Sequence, residues 1–110
     1  MIAVIFEVNP TSEGQASYFE IAQDLKSELT RVDGFISVER FQSLCDPNSF
    51  LSLSFWESEI AIKQWREHFE HQKAQKKGKA ELFNRFRIRV ANVVRDYGNK
   101  SQLTNVVEAK

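Results

Sequence analysis

Two hydrophobic periodicities alternate along this chain in a fixed order. Residues 2–8, Ile-Ala-Val-Ile-Phe-Glu-Val, are β-branched and aromatic and stop at Asn9-Pro10, which predicts a strand running into a turn. Thr11, Ser12 or Gly14 can then open a helix, in which Tyr18, Ile21, Ala22, Leu25, Leu29 and Val32 recur at three- and four-residue spacing. Asp33-Gly34 ends it, because glycine accepts the left-handed backbone that follows a helix. Phe35 to Leu44 reads as a second strand, with Ile36 and Val38 on one face and Phe35 and Phe41 on the other. A turn at Cys45-Asp46-Pro47-Asn48 leads into a third strand, Phe50 to Trp56, where Leu51, Leu53 and Phe55 alternate with Ser52 and Ser54. Ser58 caps a second helix that carries Ile60, Ala61, Ile62, Trp65, Phe69 and Ala74 to about Lys77-Gly78, with a break near Glu67. Phe86 to Tyr97 is a fourth strand: Phe86, Ile88, Val90 and Val94 share a face interrupted by Asn92, and Arg87, Arg89, Ala91, Val93 and Arg95 share the other.

The order strand, helix, strand, strand, helix, strand predicts an α+β fold. It is the ferredoxin-like βαββαβ arrangement, a four-stranded antiparallel sheet with both helices on one side. Two helices cover only one face of such a sheet. Yet the second and fourth strands carry apolar side chains on both faces, so the uncovered face would present a patch larger than a monomer usually tolerates. Packing two sheets face to face about a two-fold axis removes it, which predicts a homodimer.

With 110 residues there is room for one domain, expected over residues 1–98, followed by a polar tail over 99–110 in which only Leu103, Val106 and Val107 are apolar. The single cysteine, Cys45, forms no internal disulfide and builds no structural zinc site. No run of about 18 apolar residues predicts a membrane span, and the short apolar start, broken by Glu7, does not read as a secretory signal. These features predict a soluble cytoplasmic domain. Fifteen basic and 15 acidic residues cancel overall, so nothing global drives nucleic-acid binding. The charges are nevertheless segregated: residues 1–57 hold 9 acids and 3 bases, and residues 58–110 hold 6 acids and 12 bases. Opposite halves that interleave within the fold or across a dimer explain this, unless some of the arginines turn inward to bind an anion.

The stretches Phe6-Glu7-Val8, Asp33-Gly34-Phe35-Ile36-Ser37-Val38-Glu39-Arg40-Phe41-Gln42-Ser43, Leu51-Ser52-Leu53-Ser54-Phe55-Trp56 and Arg87-Ile88-Arg89-Val90-Ala91 resemble the antibiotic biosynthesis monooxygenase family. The resemblance covers roughly residues 2–97. It implies a dimeric α+β barrel with one pocket per subunit between sheet and helices. It also implies an activity drawn from a diverse set that includes oxygenases acting on aromatic polyketides without metal or flavin, haem-degrading oxygenases and members with no known activity.

Within that frame, His68 and His71 follow Trp65 on the second helix at successive three-residue spacings. A metal site there lacks a third ligand at a telling spacing, and surface histidines on a charged helix are the plain alternative. The functional alternative is one histidine facing the pocket as a general base, with Trp65 beside it. Arg40, Arg87 and Arg89 lie on strands and are candidates to hold a substrate anion, with Trp56 and Asn92 as further substrate contacts. The plain alternatives are a pairing of the arginines with Glu39 or Glu7 and a core role for Trp56. The haem-degrading branch has an Asn on the first strand and a His well after a helical Trp. Here Trp65 matches, but Val8 replaces the Asn, Asn9 is one residue off, and Gln75 stands at the ungapped His position. The leading expectation is a cofactor-independent monooxygenase acting on a small electron-rich aromatic such as a phenol, anthrone or quinol. The alternatives are a non-catalytic dimeric binding or stress-related protein and, behind it, a haem-degrading oxygenase.

Overall fold

The computed structural model describes residues 1–76 and 82–99, for residues 72–76 the backbone only. The elements are β1 (Ile2–Pro10), α1 (Gln15–Leu29), β2 (Phe35–Gln42), β3 (Phe50–Trp56), α2 (Glu59–Lys76) and β4 (Phe83–Asn92). They form one antiparallel sheet in the order β2-β3-β1-β4, the ferredoxin-like arrangement. The tail beyond residue 99 and the expected end of α2 at Lys77-Gly78 lie outside the described residues.

Register fixes which side chains face the helices. Four rows cross the sheet on that side, and in strand order they are Gln42-Phe50-Val8-Phe86, Arg40-Ser52-Phe6-Ile88, Val38-Ser54-Val4-Val90 and Phe35-Trp56-Ile2-Asn92. Phe6 sits centrally and gathers the aromatic rings: Phe69 at 5.4 Å, Phe86 at 6.1 Å, Trp65 and Phe83 at 6.3 Å and Tyr18 at 6.5 Å between centroids. Edge-to-face pairs of this kind add about 0.5–1.5 kcal/mol each beyond simple burial. Tyr18, Trp56, Ile21 and Val4 are the largest fully buried side chains of the same core.

Several local expectations change for identifiable reasons. β2 carries a bulge: Phe35 pairs with Trp56 and Ser37 with Phe55, leaving Ile36 as the extra residue. Phe35 therefore joins the helix side, its ring 5.1 Å from that of Trp56, and does not share a face with Phe41. β4 begins earlier than expected, at Phe83, and ends at Asn92, where β1 runs out of partners at Ile2. One last bond joins Val93 N–H to the Met1 carbonyl, and Val94 and Tyr97 are exposed. α2 is continuous through Glu67. α1 closes at Leu29, and Val32 packs against the core from the following turn.

Two glycines hold the connections. Gly14 is the N-cap of α1, and a Cβ there would lie 2.5 Å from the Leu82 carbonyl oxygen. Gly34 has φ +94°, a backbone that L side chains rarely adopt, and its carbonyl accepts a 2.8 Å bond from Glu57 N–H. That bond ties the turn after α1 to the start of α2.

The other face of the sheet carries no helix. Its middle is apolar, with Leu51, Leu53 and Phe55 on β3 beside Ile5 and Ala3 on β1. Its β4 side is basic, with Arg85, Arg87 and Arg89. The apolar patch thus centres on the two middle strands, with Phe41 of β2 beside Leu51 and Ala91 of β4 beside Ala3 as the expected contributions from the edges. No helix among the described residues is long and apolar enough to cross a membrane.

Candidate active site

The hollow of interest forms because β3 turns its small side chains toward the helices. Ser52 and Ser54 face the helix layer while Leu51, Leu53 and Phe55 face away. Ser54 accepts a 2.9 Å bond from the Trp56 indole N–H, which locks that ring in the core. Ser52 fills little of the space beneath the helices. What remains is a cavity of about 300 Å³, with Phe6 and Ser52 on its floor, Val38 and Arg40 of β2 along one side, Tyr18, Ile21, Ala22, Leu25, Lys26 and Leu29 of α1 overhead, and Trp65 and Phe69 of α2 opposite. Trp65 and Phe69 stack with centroids 5.6 Å apart, making a flat aromatic wall.

The polar lining comes from α1 (Tyr18, Lys26), β2 (Arg40) and β3 (Ser52). Arg40 is exposed, and its guanidinium carbon lies 6.0 Å from the centroid of the Phe19 ring. Tyr18 is 2% exposed, and burial pushes its hydroxyl above the ordinary tyrosine range while the Arg40 charge pulls the other way. Tyr18 therefore stays protonated at neutral pH. An apolar chamber with a cationic rim and a buried phenol suits an apolar molecule that carries one anionic oxygen group.

The candidate residues divide sharply. Trp65 and Arg40 line the cavity. Trp56 is fully buried in the core, the plainer of its two readings. Arg87 and Arg89 project from the opposite face, where Arg89 Nη1 bonds Glu7 Oε1 at 3.1 Å. Glu39 is no neighbour of theirs, since β2 and β4 are the two edges of the sheet. Asn92 is exposed at the end of β4, opposite Ile2. Neither histidine lines the cavity. His68 Nδ1 comes within 3.0 Å of Glu28 Oε1, linking α2 to α1 without the alignment of a hydrogen bond, and His71 is exposed. No cluster of three or more His, Cys, Asp or Glu capable of holding a metal occurs among the described residues.

Asn9 is buried on the face away from the cavity and belongs to a structural network. Its amide donates to the Asn48 carbonyl at 3.2 Å and Ser49 Oγ at 3.0 Å, and its oxygen accepts from Asn84 at 2.7 Å. The Ser49 hydroxyl and the Asn48 N–H in turn hold the Asp46 carboxyl below its usual range. A second hollow of about 550 Å³ adjoins this network and includes Arg85 and Arg87, but the polar groups of Asn9 there are already engaged by the loop between β2 and β3 and by Asn84 of β4.

Residues 1–77 match the family described as antibiotic biosynthesis monooxygenase. The chain belongs to this family. Among curated relatives, jasmonate monooxygenase ABM of Pyricularia oryzae is 37% identical over 111 residues, covering 100% of this chain and 52% of the relative. The chain thus spans about half the length of that relative. The uncharacterized protein YqjZ of Bacillus subtilis is 36% identical over 93 residues, covering 84% of this chain and 79% of its own length. Among solved structures, Rv0793 of Mycobacterium tuberculosis superposes with a TM-score of 0.74 at 19% identity, over 88% of this chain and 98% of that one. A conserved protein of Methanosarcina mazei Go1 gives 0.68 at 20% identity, over 82% and 89%. At these identities the structural matches establish the fold alone. Family membership thus rests on residues 1–77, which include the cavity-forming parts of β1, α1, β2, β3 and α2.

Tyr18, Lys26 and Ser52 were not singled out in the sequence. The helical stripe makes Tyr18 look like core, and only its polar tip within that stripe distinguishes it. Ser52 is visible only as half of an alternation, and the spacing does not say which half faces the helices.

Proposed function

We propose that the chain is a monooxygenase that binds a small electron-rich molecule as an oxyanion in the cavity beneath α1 and α2. The observation that carries this reading is the pairing of an apolar, aromatic-walled chamber with the Arg40 guanidinium at its rim. Family membership and the jasmonate monooxygenase relative support the oxygenase class. Phenols, anthrones and quinols fit the chamber chemistry. So does jasmonate, an apolar acid with a single carboxylate.

For an anthrone-type substrate the chemistry balances without an external reductant. The ionised substrate gives an electron to dioxygen, the carbon–oxygen bond forms, and the hydroperoxide loses water. The CH2 group and O2 become C=O and H2O. The protein's task is to favour the ionised form, orient it against the Trp65 and Phe69 wall and exclude bulk water. Histidine has no part in these steps. We further infer that two copies pair through the open sheet face, burying Leu51, Leu53, Phe55 and Ile5.

Oxygen consumption by metal-stripped protein tests this reading, with anthrones and quinols as substrates. Uptake above buffer, abolished when Ser52→Phe fills the chamber, is the expected result. Absence of uptake with each of them overturns the monooxygenase reading for aromatics. Binding without turnover would leave a carrier or sequestering role.

A further inference from the structure

Tyr18 presents an unusual combination. Its ring is clamped by Phe19 at 5.4 Å, Phe83 at 5.9 Å, Phe50 at 6.4 Å and Phe6 at 6.5 Å. Its side chain is 2% exposed, yet among the described residues no hydrogen bond reaches its hydroxyl. Nor is that oxygen sealed away, because the only sealed side-chain oxygen or nitrogen without a partner among the described residues is Glu28 Oε1. The hydroxyl therefore keeps some accessible surface, and the cavity is a hollow that this residue lines. Buried polar groups are almost always partnered, so an unpartnered phenol held rigidly at a cavity wall calls for a partner from the ligand.

We propose that Tyr18 is a substrate-contacting residue that donates its phenolic hydrogen to an anionic oxygen of the bound molecule, with Arg40 supplying the balancing positive charge. This rests on the cavity being the substrate site, as proposed above. The ligand class is an apolar, largely planar molecule with one phenolate or enolate oxygen. Arg40 stands in the same row of the sheet as Ser52 and Phe6, on the β2 side of the chamber, where its charge reaches Tyr18. Lys26 of α1 also lines the chamber, and Glu39 borders it from the row of Leu53, which faces the other side of the sheet. Because burial keeps Tyr18 protonated, it acts as donor and not as base. A hydrogen bond donated to an anion is roughly twice as strong as one donated to a neutral oxygen, so the arrangement favours ionisation of the substrate. An ionised phenol or enol is the form that reduces dioxygen.

The probe for testing this is 4-nitrophenol, whose ionised form is yellow and whose neutral form is not. Full-length protein is titrated at a pH just below the free probe's midpoint. Wild type should bind it with the ionised form enriched. Tyr18→Phe retains the ring packing and should lose affinity about 10- to 100-fold, with ionisation returning to that of the free probe. Arg40→Gln alters an exposed side chain, leaves the fold undisturbed and should also lose the ionisation preference, which tests the same geometry should the Tyr18 variant fold poorly. Ala22→Trp fills the chamber and should abolish binding. If Tyr18→Phe and Arg40→Gln bind and ionise the probe like wild type while Ala22→Trp does not bind, the Tyr18 assignment is wrong and the cavity reading stands. If wild type fails to bind, or Ala22→Trp binds as well as wild type, the cavity reading falls and this one with it.

Discussion

The middle of β3 shows opposite characters on its two sides. One side shows Leu51, Leu53 and Phe55 to an uncovered sheet face, and the other shows Ser52 and Ser54 to the helices between the rings of Phe50 and Trp56. An ordinary amphipathic strand does the reverse. The inversion teaches that hydrophobicity along a strand tells which residues share a face, but not which face is interior. Here the helix side already holds bulky rings from β1, α1 and α2, so small hydroxyls on β3 keep a chamber open. The apolar side is left for something else to cover.

Four substitutions and one titration would break or sharpen this contrast. The largest effect belongs to the helix side. Phe6→Ala removes the ring on which five others converge and should cost about 3–5 kcal/mol, measured by denaturant unfolding. A loss under 1 kcal/mol would mean the aromatic cluster does not organise the core. Next, Leu53→Asp on the open face should convert a dimer into single chains in sedimentation, with the helix-side chamber retained. If wild type already sediments as one chain, the open face is not a self-association surface. Ser52→Leu should leave the fold intact, with stability changed by no more than about 1 kcal/mol, while weakening small-aromatic binding at least ten-fold by filling the floor. Equal binding by this variant would place the ligand elsewhere. Arg89→Met breaks the exposed pair with Glu7 and should alter stability by less than about 1 kcal/mol.

The smallest effect concerns the hairpin loop between β2 and β3. The folded-state pKa of Asp46 is depressed by Ser49 and Asn48, so the stability it contributes is present above its ordinary value of 3.8 and fades as pH falls through the lower, folded value. Amide resonances of Asn48 and Ser49 should move in that acid window and not in Asp46→Asn.

Much of the architecture was legible because periodicity reports it directly. The element order, the stop at Gly34 and the pairing faces of β3 and β4 all follow from side-chain spacing. Errors arose where spacing is locally interrupted or where a partner sets the limit. The extra residue at Ile36 moved Phe35 to the other side, and no feature of Phe35-Ile36-Ser37 announces a bulge. β4 stops at Asn92 because β1 ends there, a long-range fact invisible in the alternation that continues to Tyr97. The site was less legible still. Arg40 and Trp65 could be picked out as a strand cation and a helical aromatic. The histidines drew attention by chemistry alone, and their angular position on α2 places neither at the chamber. Tyr18 was hidden because a buried phenol and a buried phenylalanine look alike in a helical stripe until the fold shows whether the hydroxyl has company.

A chamber made by leaving out bulk on a single strand is easy to rebore. Changing residue 52 through glycine, alanine, serine, threonine and valine would widen or narrow the space in steps of an atom or two, with the surrounding walls left standing. The size of molecule the chamber can admit would then track one residue.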